Sequence, residues 1–137
     1  MLILDASVVV KWFSEEEYTE KALEIRKKIR TGDERIVLPD LLLYELANAL
    51  RYNPCFDAGD VRDAVNSIMD MGMDIITPTP EIINSAIALA FKYNTTVYDS
   101  FYLSLSKELG IPFITADRKL YEEVKELNLV KFIGDIV

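Results

Sequence analysis

Short apolar runs alternate along this chain with longer stretches of helical periodicity, and that alternation restricts the fold more than any other feature. Leu2-Ile3-Leu4, Ile36-Val37-Leu38 (closed by Pro39), Asp74-Ile75-Ile76, Pro112-Phe113-Ile114-Thr115 and Val130-Lys131-Phe132-Ile133 are too brief for helices and read as strands. Between them Ala6–Phe13, Glu16–Arg30, Asp40–Tyr52, Asp57–Met71, Glu81–Tyr93, Asp99–Leu109 and Asp117–Leu127 carry apolar residues at helical spacing. Thr96-Val97-Tyr98 reads as a short extended piece leading into Asp99. Strands alternating with helices predict an α/β domain whose mostly parallel sheet is covered on both faces. No repeat, low-complexity stretch or linker interrupts the pattern, and 137 residues suit one domain spanning 1–137.

The histidine count is zero. Acid–base chemistry at neutral pH usually rests on histidine, so nucleophile systems built on it are excluded, as are histidine zinc sites. Cys55 is the only cysteine, which rules out an internal disulfide and a multi-cysteine metal site. A small hydrophobe in a loop accounts for it. Hydrolytic chemistry would therefore use carboxylates, a lysine-based device, or a hard cation on oxygen ligands. A net charge of −8 argues against a passive nucleic-acid coat, whose affinity comes from neutralising phosphates. It argues less against an enzyme whose acids are neutralised by bound cations. No apolar run reaches the ~20 residues of a membrane span, and the opening Met1–Asp5 does not resemble a secretory signal, so a cytoplasmic location is expected.

Three aspartates, Asp5, Asp99 and Asp117, each end an extended apolar segment and open a helix. Taken singly, each is accounted for as an N-cap. Taken together they say more, because all strand C-termini of a parallel sheet lie along one edge, and ligands bind in the crevice there. Glu45 is the only charge in the run Leu41–Leu50, and such a carboxylate is costly unless paired, hydrogen-bonded or bound to metal. Pairing with Arg51 is one alternative, a local surface another. Several neighbouring carboxylates need compensation, and an oxygen-only ligand set suits magnesium, with manganese as substitute. Such a site can activate water for attack on a phosphodiester.

Leu4-Asp5-Ala6-Ser7, Leu43-Tyr44-Glu45-Leu46-Ala47-Asn48-Ala49-Leu50, Tyr98-Asp99-Ser100 and Ile114-Thr115-Ala116-Asp117-Arg118-Lys119-Leu120 together resemble the successive acidic motifs of PIN domains, in particular the VapC-type toxins of toxin–antitoxin pairs. The resemblance covers essentially the whole chain. It implies a three-layer α/β/α sandwich around about five parallel strands. It further implies a single-strand ribonuclease dependent on magnesium or manganese. In that reading Asp5 and Asp99 are central ligands, Glu45 holds or orients the cation, and Asp117 completes the site. Ser7 and Thr115 match hydroxyl positions that support the cluster, and Asn48 matches a polar neighbour of the helix acid. Some relatives carry a further acid just after the last motif, where this chain has Arg118 and Lys119. An antitoxin bound near the first helices and a homodimer are also implied.

Lys11, Arg118 and Lys119 lie close in sequence to the proposed acids and are candidates for holding RNA phosphates, or are solvated surface cations. Arg26-Lys27-Lys28 with Arg30 reads as a solvated helix face. Trp12, Phe13 and Tyr18 serve either the core or a partner chain. Two other functions compete. A non-catalytic binding or scaffolding module would keep the same acids as caps. A phosphatase of the haloacid dehalogenase type would need a second aspartate where Ser7 stands.

Overall fold

The computed structural model describes residues 1–137. Five strands, β1 (Leu2–Leu4), β2 (Ile36–Pro39), β3 (Asp74–Ile76), β4 (Phe113–Thr115) and β5 (Val130–Phe132), form one sheet in the order β3-β2-β1-β4-β5. Every neighbouring pair is parallel. Between them run α1 (Ala6–Val9), α2 (Thr19–Thr31), α3 (Leu41–Arg51), α4 (Ala58–Asp70), α5 (Pro80–Tyr93), α6 (Val97–Leu109) and α7 (Arg118–Val124).

Strand order explains the layers. The chain moves from β1 through β2 to β3 in one direction, then jumps back across β1 to β4 and continues to β5. Parallel crossovers are right-handed, so reversing direction places α1 to α4 on one face and α5 to α7 on the other. The result is the parallel sheet covered on both faces that the strand–helix alternation predicts, in the three-layer α/β/α form that the family resemblance implies. Both faces of the central strands are sealed: Ile3, Leu4 and Phe113 are fully buried although neighbouring strand residues point to opposite sides. The order reverses beside β1, between β2 and β4. Strand ends diverge there, and residues following β1 and β4 are brought together.

Several boundaries differ from the sequence-based expectation, four of them for reasons visible in the structure. Thr96-Val97-Tyr98 is not extended: α6 begins at Val97, and the Thr96 hydroxyl caps it by accepting the Asp99 amide at 3.0 Å. A threonine cap outweighs the strand preference of a three-residue β-branched and aromatic run. Asp99 therefore sits inside the first helical turn. The helix expected from Glu16 begins at Thr19, because Tyr18 takes left-handed backbone angles (φ 67°) and the Thr19 hydroxyl accepts the Glu16 amide at 2.9 Å. The helix expected over Ala6–Phe13 is one α-turn followed by a 3-10 turn, Val10–Trp12. Trp12 is core: its indole N–H donates to the Ala22 carbonyl at 2.8 Å. Finally, the last strand stops at Phe132 and passes into a 3-10 turn, Ile133–Asp135.

That closing turn requires a glycine. A Cβ on Gly134 would meet the Phe132 ring at 2.5 Å and the Tyr18 ring at 3.0 Å. Phe132 is held on other sides as well, with Tyr18 edge-on at 5.5 Å and the Arg118 guanidinium over its face at 4.3 Å. The ring has little room to retreat. Gly134→Ala is expected to destabilise the fold by about 1–3 kcal/mol, the usual cost of overpacking, as measured by urea unfolding. An unchanged midpoint would show that the turn shifts freely.

Candidate active site

Asp5 directly follows β1 and is 6% exposed. Such a carboxyl needs partners, and the structure supplies two hydroxyls. Ser7, two residues on, donates to Oδ1. Thr115, the last residue of β4, donates to Oδ2 at 2.6 Å. Each hydroxyl has one proton, spent on Asp5, and its lone pairs accept amides of the next turn. The Ala116 amide donates to Ser7 Oγ at 2.9 Å and the Asp117 amide to Thr115 Oγ1 at 3.0 Å. Asp117 then caps α7, accepting the Leu120 amide at 3.0 Å.

Glu45 reaches the same edge from α3. It is half-buried and does not pair with Arg51; the Tyr102 hydroxyl of α6 donates to its Oε1 at 2.7 Å. Tyr102 is itself buried and stacks on Phe113 of β4 at 5.5 Å. Asp99 lies one turn before Tyr102 on α6, also half-buried. Tyr102 had no signal as a site residue in the sequence beyond its helical spacing of three from Asp99, which puts both on one side of the helix.

The charges of these acids interact. Burial pushes the Asp5 carboxyl up to about 7, against the lowering effect of Ser7 and Thr115, with Asp99 and Glu45 raising it further. Burial also raises Glu45, opposed by the Tyr102 hydroxyl and helped by Asp99. Asp99 is raised by burial and then by Asp117, with Thr96 opposing and Glu123 of α7 adding to the repulsion. Glu123 is a further acid near the site that the sequence reading passed over. Tyr102 is held firmly protonated, by burial first and then by Glu45. It can donate to Glu45 but cannot serve as a base.

All four predicted acids thus lie around one sheet edge. As placed, no group of three acidic, histidine or cysteine side chains is gathered closely enough to hold an ion. The donor chemistry nonetheless suits a hard divalent cation. Every candidate ligand is a carboxylate oxygen, and Asp5, Glu45 and Asp99 all hold their protons more tightly than isolated acids. The other predicted residues divide. Ser7 and Thr115 join the site through Asp5. Asn48 is exposed and lines a separate cleft with Arg51, Phe56 and Val61. Lys11 is buried and paired with Glu16 at 3.1 Å, so it is not available to an RNA phosphate. Arg118 leans on Phe132 and donates to the Tyr18 hydroxyl at 3.3 Å, while Lys119 is exposed.

The alternating topology, the switch beside β1 and the acids around it define a PIN-type α/β fold. The chain belongs to the PIN-domain family, whose profile matches residues 2–127. Among curated proteins it is similar to Ribonuclease VapC3 of Pyrobaculum aerophilum, 29% identical over 130 residues that span 92% of this chain and 96% of that one. Its fold matches the crystal structure of PAE2754 from the same organism, with TM-score 0.71, 18% identity, and 97% and 83% of the two chains covered. A toxin–antitoxin complex from Klebsiella pneumoniae matches with TM-score 0.72 at 15% identity, covering 99% and 100%.

The Asp5 environment predicts a pH dependence. Unfolded, an aspartate loses its proton near pH 4; folded, Asp5 retains it up to about pH 7. The native state binds the extra proton between those values, so stability falls as pH rises through that window and levels off above it. In chelator, wild type should lose roughly 2–3 kcal/mol more than Asp5→Asn between pH 5 and pH 8, measured by urea unfolding. Parallel pH profiles for the two proteins would contradict the assignment.

Proposed function

We propose that this protein is an endoribonuclease that cuts single-stranded RNA with a divalent cation, magnesium or manganese, held by Asp5, Glu45, Asp99 and Asp117. The observation that carries the proposal is that four separate segments bring acids to one sheet edge, where burial first and mutual repulsion second raise Asp5, Glu45 and Asp99. Repulsion of that kind raises the cost of the free protein and is relieved by a cation.

A bound divalent ion would supply Lewis acidity, lowering the pKa of water and steadying the leaving oxygen of the phosphodiester. The residues divide the remaining work. Asp5 and Asp99 would be the central ligands, and Asp5 would have to be ionised to hold the cation. Ser7 and Thr115 fix the direction of the Asp5 carboxylate, as hydrogen-bonded ligands generally require. Tyr102 donates to Oε1 of Glu45, so the other carboxylate oxygen is the one that would serve a cation. Asp117 completes the set from the start of α7, and Glu123 adds negative charge near Asp99.

The ribonuclease name of the Pyrobaculum relative and the toxin–antitoxin complex among the structural neighbours support a toxin role. On this reading the partners are an antitoxin protein and a second copy of the chain. A cytoplasmic location belongs to the same proposal; no helix is long and apolar enough to cross a membrane. A non-catalytic scaffold of the same fold is favoured by one observation, the wide placement of the acids.

Digestion of a single-stranded RNA should proceed with magnesium or manganese and stop with chelator. Asp99→Asn should lose at least about 100-fold in rate while remaining folded, a ligand counting for no less than the groups that orient it. Cleavage by Asp99→Asn at the wild-type rate would sink the mechanism. Manganese should also raise the melting temperature, more at pH 8 than at pH 5, because binding must displace protons at the lower pH. No shift at either pH would favour the scaffold.

A further inference from the structure

We propose that Tyr44 and Tyr98 form a stacking platform for bases of single-stranded RNA flanking the bond to be cut; the inference rests on the ribonuclease reading above. Tyr44 immediately precedes Glu45 on α3, and Tyr98 immediately precedes Asp99 on α6. The two residues are 69% and 65% exposed. Both line one cavity of about 220 Å³, whose other walls include Leu41, Pro78, Val97 and Phe101. The two helices that carry acids to the sheet edge therefore also carry an aromatic pair into an adjoining apolar cleft.

Charge argues for bases as the occupant. A bound cation would take the phosphate at the cut, but a net charge of −8 gives the rest of an RNA strand little electrostatic attraction. Of the cations near the site, Lys11 is committed to Glu16 and Arg118 to Phe132 and Tyr18, which leaves the exposed Lys119 as the one not so engaged. Affinity for an RNA strand must then come largely from its uncharged parts. Unpaired bases offer flat apolar faces, and single-stranded RNA is commonly held by stacking on tyrosine rings. Because Tyr44 and Tyr98 are chain neighbours of Glu45 and Asp99, a strand with a base in the cleft would run on toward the acid edge. Duplex RNA, with its bases stacked internally, could not use the platform. The structure thereby provides a reason for single-strand selectivity.

Steady-state cleavage of a single-stranded RNA in manganese tests this, using the full chain. Tyr44→Ala and Tyr98→Ala should each raise KM roughly 5- to 100-fold, the range expected for losing one stacked base, with kcat little changed. Tyr44→Phe and Tyr98→Phe should keep the wild-type KM, since the ring does the stacking. Both alanine variants should melt at the wild-type temperature, because the rings are exposed. An RNA with an abasic nucleotide beside the cut should be as poor for wild type as the intact RNA is for the affected alanine variant. Combining the two losses should add nothing. The affinity should also depend weakly on salt.

Unchanged KM in both alanine variants, or additive losses with the abasic RNA, would overturn the platform while leaving the ribonuclease standing. Wild-type protein that cuts no RNA would overturn both. Light scattering that shows a wild-type dimer broken into monomers by Tyr44→Ala or Tyr98→Ala would reassign the cleft to contact between copies and also overturn it.

Discussion

A buried carboxyl group bridged by two hydroxyls holds the working edge of this protein together. Asp5 follows β1, Thr115 ends β4, and the contact between them joins neighbouring strands at the point where strand order reverses. Ser7 returns from the start of α1 to the other carboxyl oxygen. Because both hydroxyl protons point at Asp5, both oxygens are left to receive the amides of Ala116 and Asp117. One carboxyl group thus orders the turn that begins α7 and positions Asp117. No buried side-chain polar atom is left without a partner.

The arrangement is stable but electrostatically loaded. Burying Asp5 favours its protonated form, and Glu45 and Asp99 add repulsion. The opposing stabilisation comes from a core in which Ile3, Leu4, Leu42, Leu46 and Phe113 are fully buried around the acid edge. Tyr102 belongs to both. Its ring stacks on Phe113 in the core and its hydroxyl reaches Glu45 at the rim, so the packing of α6 also orients a charged side chain on α3.

Much of this was legible in the residues. The strand–helix alternation predicts the parallel sandwich, and the lone acid in Leu41–Leu50 marks Glu45. The zero histidine count directs attention to carboxylates before any coordinates are considered. The local errors share a cause. Thr96-Val97-Tyr98 has strand-like composition, yet a hydroxyl capping Asp99 decides the matter for helix. Tyr18 adopts a left-handed conformation that its side chain does not signal. Short-range preferences of this size are easily overridden by a single hydrogen bond or by packing.

What the sequence by itself determined is the set of available chemistries and the layered architecture, because composition and periodicity act locally and can be read residue by residue. Tertiary structure alone decided the partners. Lys11 looks like a surface cation and is buried against Glu16; Glu45 has Arg51 on its own helix and instead takes the Tyr102 hydroxyl from across the fold. Tyr44 and Tyr98 are 54 positions apart in the chain and line one cleft. Contacts of this kind depend on the order in which strands are laid beside one another, which no local pattern of residues encodes.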